Sequence, residues 1–150
     1  MISNFKKIGE YLRPGEDPEY QSFIGRNKTK RRPLVYLFIV GGEIKYIGET
    51  RQGYSRPLSY HRNKIMKRQN EAIYRATESG HKVEVYALEV PSQLAIVNGL
   101  EIENYLAQDY EKALIKLHTP EWNGRPRQRL RVSRVVAERT ESVDRYKYWF

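Results

Sequence analysis

Five side chains capable of chemistry are spread over more than half of the chain, at Tyr36, Tyr46, Arg56, Glu111 and Asn123. Tyrosine phenols exchange protons and hydrogen-bond to water. An arginine fork binds phosphate or carboxylate through two parallel hydrogen bonds, and a glutamate is a ligand for hard cations such as Mg²⁺. Taken singly, each is an ordinary packing, surface or turn residue. Their order and the elements that carry them decide whether they form a site.

A hairpin is predicted to carry the two tyrosines. The run "PLVYLFIV" is typical of a buried strand, Gly and Glu residues at 41–43 form a turn, and "IKYIG" supplies the partner strand. A loop of three residues would pair Phe38 with Tyr46 and place Tyr36 on the same face. A strict two-residue turn would pair Leu37 with Tyr46 and separate the tyrosines. A shared site therefore predicts the three-residue loop.

The other elements follow from hydrophobic period, caps and turn signals. In chain order we expect a short helix at 5–12, an irregular arm at 13–33, helices at 55–69 and 70–80, a strand at 81–90, a hairpin turning at Asn98-Gly99, an amphipathic helix at 105–118 and an alternating strand at 127–136. The predicted fold class is α+β, a mainly antiparallel sheet flanked by helices. It divides into a basic N-terminal arm at 1–33, a core at 34–123 and a basic C-terminal segment at 124–150, within one compact domain.

Charge is concentrated at the two ends of this 150-residue chain, whose net charge is +9. Residues 1–33 hold eight basic and four acidic side chains, and 124–150 hold eight and three. The centre is neutral overall, but 45–75 is basic and 76–123 is acidic. Such a distribution favours a polyanion such as nucleic acid as partner. The absence of cysteine excludes disulfides and thiolate zinc sites. No apolar run has the length of a membrane span or a signal peptide, so we expect a cytoplasmic protein without a membrane partner.

The order of the candidate residues resembles that of the GIY-YIG nuclease family. Tyr46-Ile47-Gly48 matches the second triplet, and Tyr36 closes the first, in which Leu34-Val35 replace Gly-Ile. The closest local match is "EKALIKLHTPEWN" at 111–123, and the resemblance covers about 34–123. A hairpin inserted near 93–104 is similar to one in some type II restriction endonucleases of the family.

The resemblance implies a divalent-metal-dependent endonuclease that hydrolyses phosphodiester bonds in double-stranded DNA. Tyr36 would be the general base, although a free phenol, with a pKa near ~10, needs positive charge close by. Arg56 would contact the scissile phosphate, and Glu111 would hold one Mg²⁺, for which Mn²⁺ can substitute. The residues at +3 and +4 from Glu111 are apolar, so a helical ion pair does not explain it.

Further residues receive supporting roles from the same resemblance. Tyr46 and Tyr60 would orient water or hold a phosphate oxygen, and Asn123 would hold the loop that closes the site. Tyr60 stands where the family often has histidine, and His61 follows it, so which of the two acts stays open. The expected substrate-binding residues are Lys45, Gly48, His61, Arg62, Arg127, Arg129 and Arg131.

Several alternatives remain open at this stage. The chain could be a phage or repair endonuclease of low sequence specificity, or a DNA-binding module without catalysis. The Glu43-x-Lys45 spacing is similar to two-metal restriction folds, but its upstream acid would be Asp17, in an irregular arm. The "HRN" at 61–63 is too short to support a His-Asn-His finger. Whether one protomer or a homodimer makes a double-strand cut also stays open.

Overall fold

A five-stranded antiparallel sheet forms the centre of the protein, in the order β2-β1-β5-β3-β4. The structure is a computed structural model that describes residues 2–12, 20–22, 31–60, 67–124 and 134–138, with backbone alone at 20–22, 67 and 134–138. The strands are β1 Lys6–Tyr11, β2 Tyr20–Ser22, β3 Leu34–Val40, β4 Glu43–Thr50 and β5 Val83–Glu89. The predicted α+β class with a mainly antiparallel sheet is confirmed.

Two helices cover opposite faces of this sheet. Helix α1, Lys67–Glu78, packs through Ile73 on the face that carries Tyr36 and Phe38. Helix α2, Leu106–His118, packs through Leu114 on the face of Val35 and Leu37. Both faces of β3 are therefore buried, which explains its continuous apolar run. No helix among the described residues is long and apolar enough to cross a membrane.

A second, smaller sheet follows β5. Strands β6 Gln93–Val97 and β7 Leu100–Asn104 turn at Asn98-Gly99, and β8 Arg134–Glu138 pairs with β7. Asn98 and Gly99 both have positive φ, the conformation for which Asn-Gly is favoured in two-residue turns. The hairpin predicted there is present. Of the alternating strand predicted at 127–136, the part before 134 lies outside the described residues.

The β3–β4 turn differs from its prediction. Gly41 and Gly42, both with positive φ, form a two-residue turn, since Val40 pairs with Glu43. The register then shifts between Phe38 and Ile39, so that Phe38 pairs with Tyr46. The extra residue is a β-bulge at Lys45 rather than a third loop residue. The predicted three-residue loop is wrong, but the predicted pairing of Phe38 with Tyr46 is confirmed.

Two predicted helices are also wrong. Residues 6–11 form strand β1, which pairs with β5 and β2 in the centre of the sheet, because so short a helix has little stability of its own. In place of the first part of the helix expected at 55–69, the structure has a 3₁₀ turn, Gly53–Ser55, and an irregular segment up to Tyr60, while 61–66 lie outside the described residues and 67–69 belong to α1. Ser59 Oγ donates to Arg56 O at 3.0 Å, a local bond that competes with helix formation. Helix α1 begins at Lys67 instead of 70.

Candidate active site

Three tyrosine rings lie at the centre of the candidate site. Tyr36 on β3, Tyr46 on β4 and Tyr60 after the 3₁₀ turn have ring centroids 6.1 Å apart for every pair. Their exposed fractions are 2%, 9% and 1% respectively. The hydroxyls of Tyr36 and Tyr60 hydrogen-bond to each other, and Tyr60 also hydrogen-bonds to Tyr46. The structure thus brings together three phenols that the sequence separates by up to 24 positions.

Burial holds these phenols in the protonated form. It raises the pKa of Tyr36 well above its usual value, and the neighbouring Tyr60 and Tyr46 raise it further. Burial is likewise the largest cause of the raised pKa values of Tyr46 and Tyr60. Arg56 acts in the opposite direction on all three groups, because its positive charge favours phenolate. Tyr36 could therefore act as a base only if further positive charge close to its hydroxyl lowered its pKa.

Arg56 lies on the segment between the 3₁₀ turn and Tyr60, not on the helix that the sequence predicts. Its guanidinium carbon is 6.0 Å from the centroid of the Tyr60 ring. The backbone on either side is held by local bonds, with Arg56 N–H donating to Gly53 O at 3.3 Å and Ser59 N–H donating to Arg56 O at 3.3 Å. The arginine therefore reaches the tyrosines from a hydrogen-bonded turn.

Tyr11 fixes this segment and was missed by sequence reasoning. Its hydroxyl, on a side chain only 2% exposed, donates to Pro57 O at 2.6 Å and accepts from Tyr60 N–H at 3.1 Å. Its ring packs edge-on against Phe38, with centroids 6.0 Å apart. Tyr11 thereby joins β1 to the segment that carries Arg56. The role of Tyr11 follows only from its hydrogen bonds to residues 46 and 49 positions away, which no local sequence pattern predicts.

Gly48 lies directly opposite Tyr36 in the β3–β4 register. A Cβ at this position would come within 2.5 Å of Tyr36 Oη and 2.7 Å of its ring carbon Cε2. The glycine therefore makes room for the phenol within the protein. The sequence analysis named Gly48 as a substrate-binding residue, whereas the space beside it is occupied by the Tyr36 side chain.

Asn123 joins the end of the candidate core to β4. Its side chain accepts from Ile47 N–H at 2.9 Å and donates to Ile47 O at 2.8 Å, so it pairs with the backbone as a neighbouring strand would. Because β4 is an edge strand, these groups have no strand partner on that side. The 3₁₀ turn Glu121–Asn123 is thus attached between Tyr46 and Gly48.

Glu111 lies on α2, half-buried, beside the same edge. Its negative charge contributes to the raised pKa of Tyr46, after the larger effects of burial and of Tyr60. The carboxylate therefore lies within electrostatic range of the tyrosine cluster, although α2 packs on the opposite face of the sheet. The Glu111 carboxylate and the tyrosine cluster approach each other at the sheet edge formed by β4.

Of the other predicted binding residues, Lys45 lies in the described part of the chain. Lys45 Nζ lies 2.9 Å from a Glu121 oxygen and 3.2 Å from a Glu43 oxygen, so two carboxylates compensate its charge. Glu43 is thus an ion-pair partner of Lys45 across the bulge. The remaining predicted residues lie outside the described part of the chain: His61, Arg62, Arg127, Arg129 and Arg131.

The donors in the described part of the chain are compatible with one hard divalent ion. Among the described residues, no group of three or more His, Cys, Asp or Glu side chains converges on a point. A two-metal site would need several carboxylates, whereas Mg²⁺ often binds through one or two and keeps several waters. Glu111, on the rim of the cluster, fits the one-carboxylate case.

The arrangement is that of a small α+β domain whose phenols, arginine and carboxylate meet at one sheet edge, and a solved structure shares its fold. A mutant of bacteriophage T4 EndoII superposes with a TM-score of 0.63 at 21% identity, covering 79% of this chain and 91% of that one. The restriction endonuclease HPY188I in complex with product DNA gives 0.46 at 21% identity, covering 79% and 78%. No protein-family model matches the sequence, and neither does any curated protein. The first of these likenesses establishes the fold alone.

Proposed function

We propose that this protein is a DNA endonuclease that hydrolyses phosphodiester bonds with the help of a divalent cation. The observation that supports this best is the meeting of Tyr36, Tyr46, Tyr60, Arg56 and Glu111 at the edge of β4. The shared fold with EndoII of phage T4 is consistent with it. The resemblance in residue order to GIY-YIG nucleases points to the same chemistry by an independent route.

In the proposed reaction, each residue of the site has a separate role. Arg56 binds a non-bridging oxygen of the scissile phosphate and stabilises the negative charge of the transition state. Once its pKa is lowered enough for the hydroxyl to lose its proton to solvent, Tyr36 takes a proton from the attacking water as phenolate, and the charge of Arg56 favours that form. Water forms the new P–O bond, the bond to the leaving oxygen breaks, and that oxygen leaves with a proton from solvent. Tyr60 holds the hydroxyl of Tyr36 in place.

Glu111 is the residue that would hold the cation. A bound Mg²⁺ or Mn²⁺ would stabilise charge at the phosphate and add the positive charge that the phenols lack. The negative charge of Glu111 raises the pKa of Tyr46, and a cation bound to Glu111 would cancel this effect. A fall in the pKa of Tyr46 on adding Mg²⁺ would therefore report binding without any measurement of cutting.

The exchange of Glu111 for glutamine tests the proposal. Glu111→Gln keeps the size of the side chain and removes the charge. We expect it to lose at least about 100-fold in the rate of plasmid cutting with Mg²⁺ or Mn²⁺, while binding of duplex DNA measured without metal stays within about threefold. Gel assays of supercoiled plasmid and fluorescence anisotropy measure the two quantities.

Glu71→Gln is the matched control, because Glu71 is exposed on α1 and takes no part in the site. It should cut like the parent. If Glu111→Gln cut at the parental rate, the role of Glu111 would be wrong. If the parent bound DNA but never cut it, the chain would be a DNA-binding module and the proposed activity would be wrong.

We further propose, from the resemblance to restriction enzymes with an inserted hairpin, that cutting is site-specific. Incubation with a plasmid library and sequencing of the ends checks this. Ends at one defined sequence support a restriction endonuclease. Scattered ends would instead assign the protein to the degradative phage or repair enzymes of low specificity.

A further inference from the structure

An open cleft of about 690 Å³ lies between α1, the β3–β4 turn and the 3₁₀ turn that precedes Gly124. Helix α1 lines it with Arg68, Ala72, Arg75 and Ala76. The spacing of these residues puts them on one helix face. The small alanines give the cleft its depth, and the two arginines stand about 10 Å apart along the helix axis.

The charge of this cleft that no described ion pair compensates is positive. Arg68 and Arg75 are exposed, and within the described part of the chain neither forms an ion pair. On the facing wall Lys45 is compensated by Glu43 and Glu121. The two arginines are therefore the cations in the cleft that a ligand meets without first separating a described ion pair.

The cleft and the tyrosine cluster share one turn. Trp122 lines the cleft and also packs against the aromatic cluster around Tyr36, and the next residue, Asn123, is hydrogen-bonded to Ile47. The guanidinium of Arg68 lies over Gly124, where an added Cβ would come within 2.8 Å of its Cζ. An extended ligand that runs from the tyrosine cluster along this turn would therefore reach Arg68 next.

We propose that this cleft binds the phosphate backbone of the DNA strand on one side of the scissile bond, with Arg68 and Arg75 each contacting a phosphate. The inference rests on the proposed endonuclease function and extends its substrate site. Guanidinium forks match phosphate geometry, and the Trp122 wall offers an apolar surface for a sugar. The cleft positions the strand, and the tyrosine cluster performs the chemistry.

The salt dependence of DNA binding tests the proposal directly. Binding of a short duplex to the parent, Arg68→Ala and Arg75→Ala is measured without divalent ions over a series of NaCl concentrations. Each variant should reduce the slope of log K against log salt by about 0.9, the value for one lost phosphate contact. Lys116→Ala, which removes an exposed charge on α2 across the sheet, should leave the slope unchanged. Slopes equal to that of the control in both variants overturn the proposal.

The kinetics of cutting separate positioning from chemistry. Both arginine variants should raise KM while kcat stays within about twofold of the parent, since they act on the flanking backbone. A fall in kcat with unchanged KM overturns the proposal. A parent that binds DNA, shows the arginine-dependent slope and does not cut leaves the cleft in place and refutes only the nuclease activity.

A competition experiment distinguishes a strand from a free anion. Inorganic phosphate should displace DNA no better than chloride at equal ionic strength. Stronger displacement by phosphate in the parent than in Arg68→Ala would assign the cleft to a small anion and overturn the proposal.

Discussion

At the scale of the residue, the site depends on hydroxyl groups whose protons are hard to remove. Tyr36, Tyr46 and Tyr60 hydrogen-bond among themselves in a buried cluster, and burial is the largest cause of each raised pKa. This environment suits phenols that stay neutral until a charged substrate and cation arrive. Packing thus keeps the cluster neutral, and under the proposed mechanism added positive charge would activate it.

The pH dependence of stability follows from the direction of these shifts. The folded-state pKa of each phenol lies above its unfolded value near ~10. The folded state therefore retains protons that the unfolded chain loses. This stabilisation is complete below about pH 10 and declines as pH rises toward the folded pKa, by at most about 1.4 kcal/mol per pH unit for each phenol.

Tyr36→Phe should accordingly make the alkaline decline of stability shallower. Urea unfolding of the parent and the variant between about pH 8 and 11 gives the free energy of unfolding at each pH. The difference between the two proteins should be constant below about pH 10 and shrink above it. A difference that is constant over the whole range would mean that Tyr36 titrates alike in the folded and unfolded chain.

At the scale of the element, the parts predicted from sequence are those with strong local signals. The hairpin at Asn98-Gly99, strand β5 and helix α2 have turn residues or hydrophobic periods within their own length. Strand β1 and the segment around Arg56 do not. Their conformations depend on β5 and on Tyr11, which are distant in sequence. The pairing of Phe38 with Tyr46 was predicted from the sequence, but the contacts of Tyr60 and Tyr11 with their partners were not.

Tyr11→Phe should loosen the segment that carries Arg56 and Tyr60. Removal of the hydroxyl leaves Pro57 O and Tyr60 N–H buried without this partner, at a cost of about 1–3 kcal/mol in unfolding free energy. We expect kcat to fall about tenfold or more because Arg56 is then less well positioned. Metal affinity of Glu111, measured by calorimetry, should be unchanged.

Tyr74→Phe is the comparison variant for this experiment. The hydroxyl of Tyr74 contacts Glu78 at 3.3 Å on the exposed surface of α1, and its loss should cost less than about 0.5 kcal/mol. If Tyr11→Phe behaved like Tyr74→Phe in both stability and kcat, the hydroxyl of Tyr11 would have no positioning role.

At the scale of the whole molecule, positive charge is concentrated at the two ends of the sequence, and the 34–123 region between them is neutral overall. The two ends of the chain carry the net charge of +9, and the 76–123 region is acidic. A polyanion would be attracted to the basic ends of the chain and repelled by the acidic 76–123 region. Charge would then draw DNA toward the ends of the chain before any specific contact forms.

Arg129→Ala together with Arg131→Ala tests the part played by the C-terminal segment. If both contact phosphate, the salt slope of duplex binding should fall by up to about 1.8, with affinity reduced most at low salt. Lys82→Ala with Lys116→Ala removes the same charge from exposed positions and should leave the slope unchanged. Equal slopes for the two double variants would make the C-terminal arginines ordinary surface residues.

The bulge at Lys45 changes how the distance between the two strand tyrosines should be counted. Ten positions separate them, and with a two-residue turn this number places both on one face only because β4 contains one unpaired residue. A chain without the bulge would achieve the same facing with nine positions, and one with a longer turn would achieve it with ten and no bulge. Proteins with equivalent sites can therefore differ by one residue in this hairpin, and a fixed gap between the tyrosines would not recognise all of them.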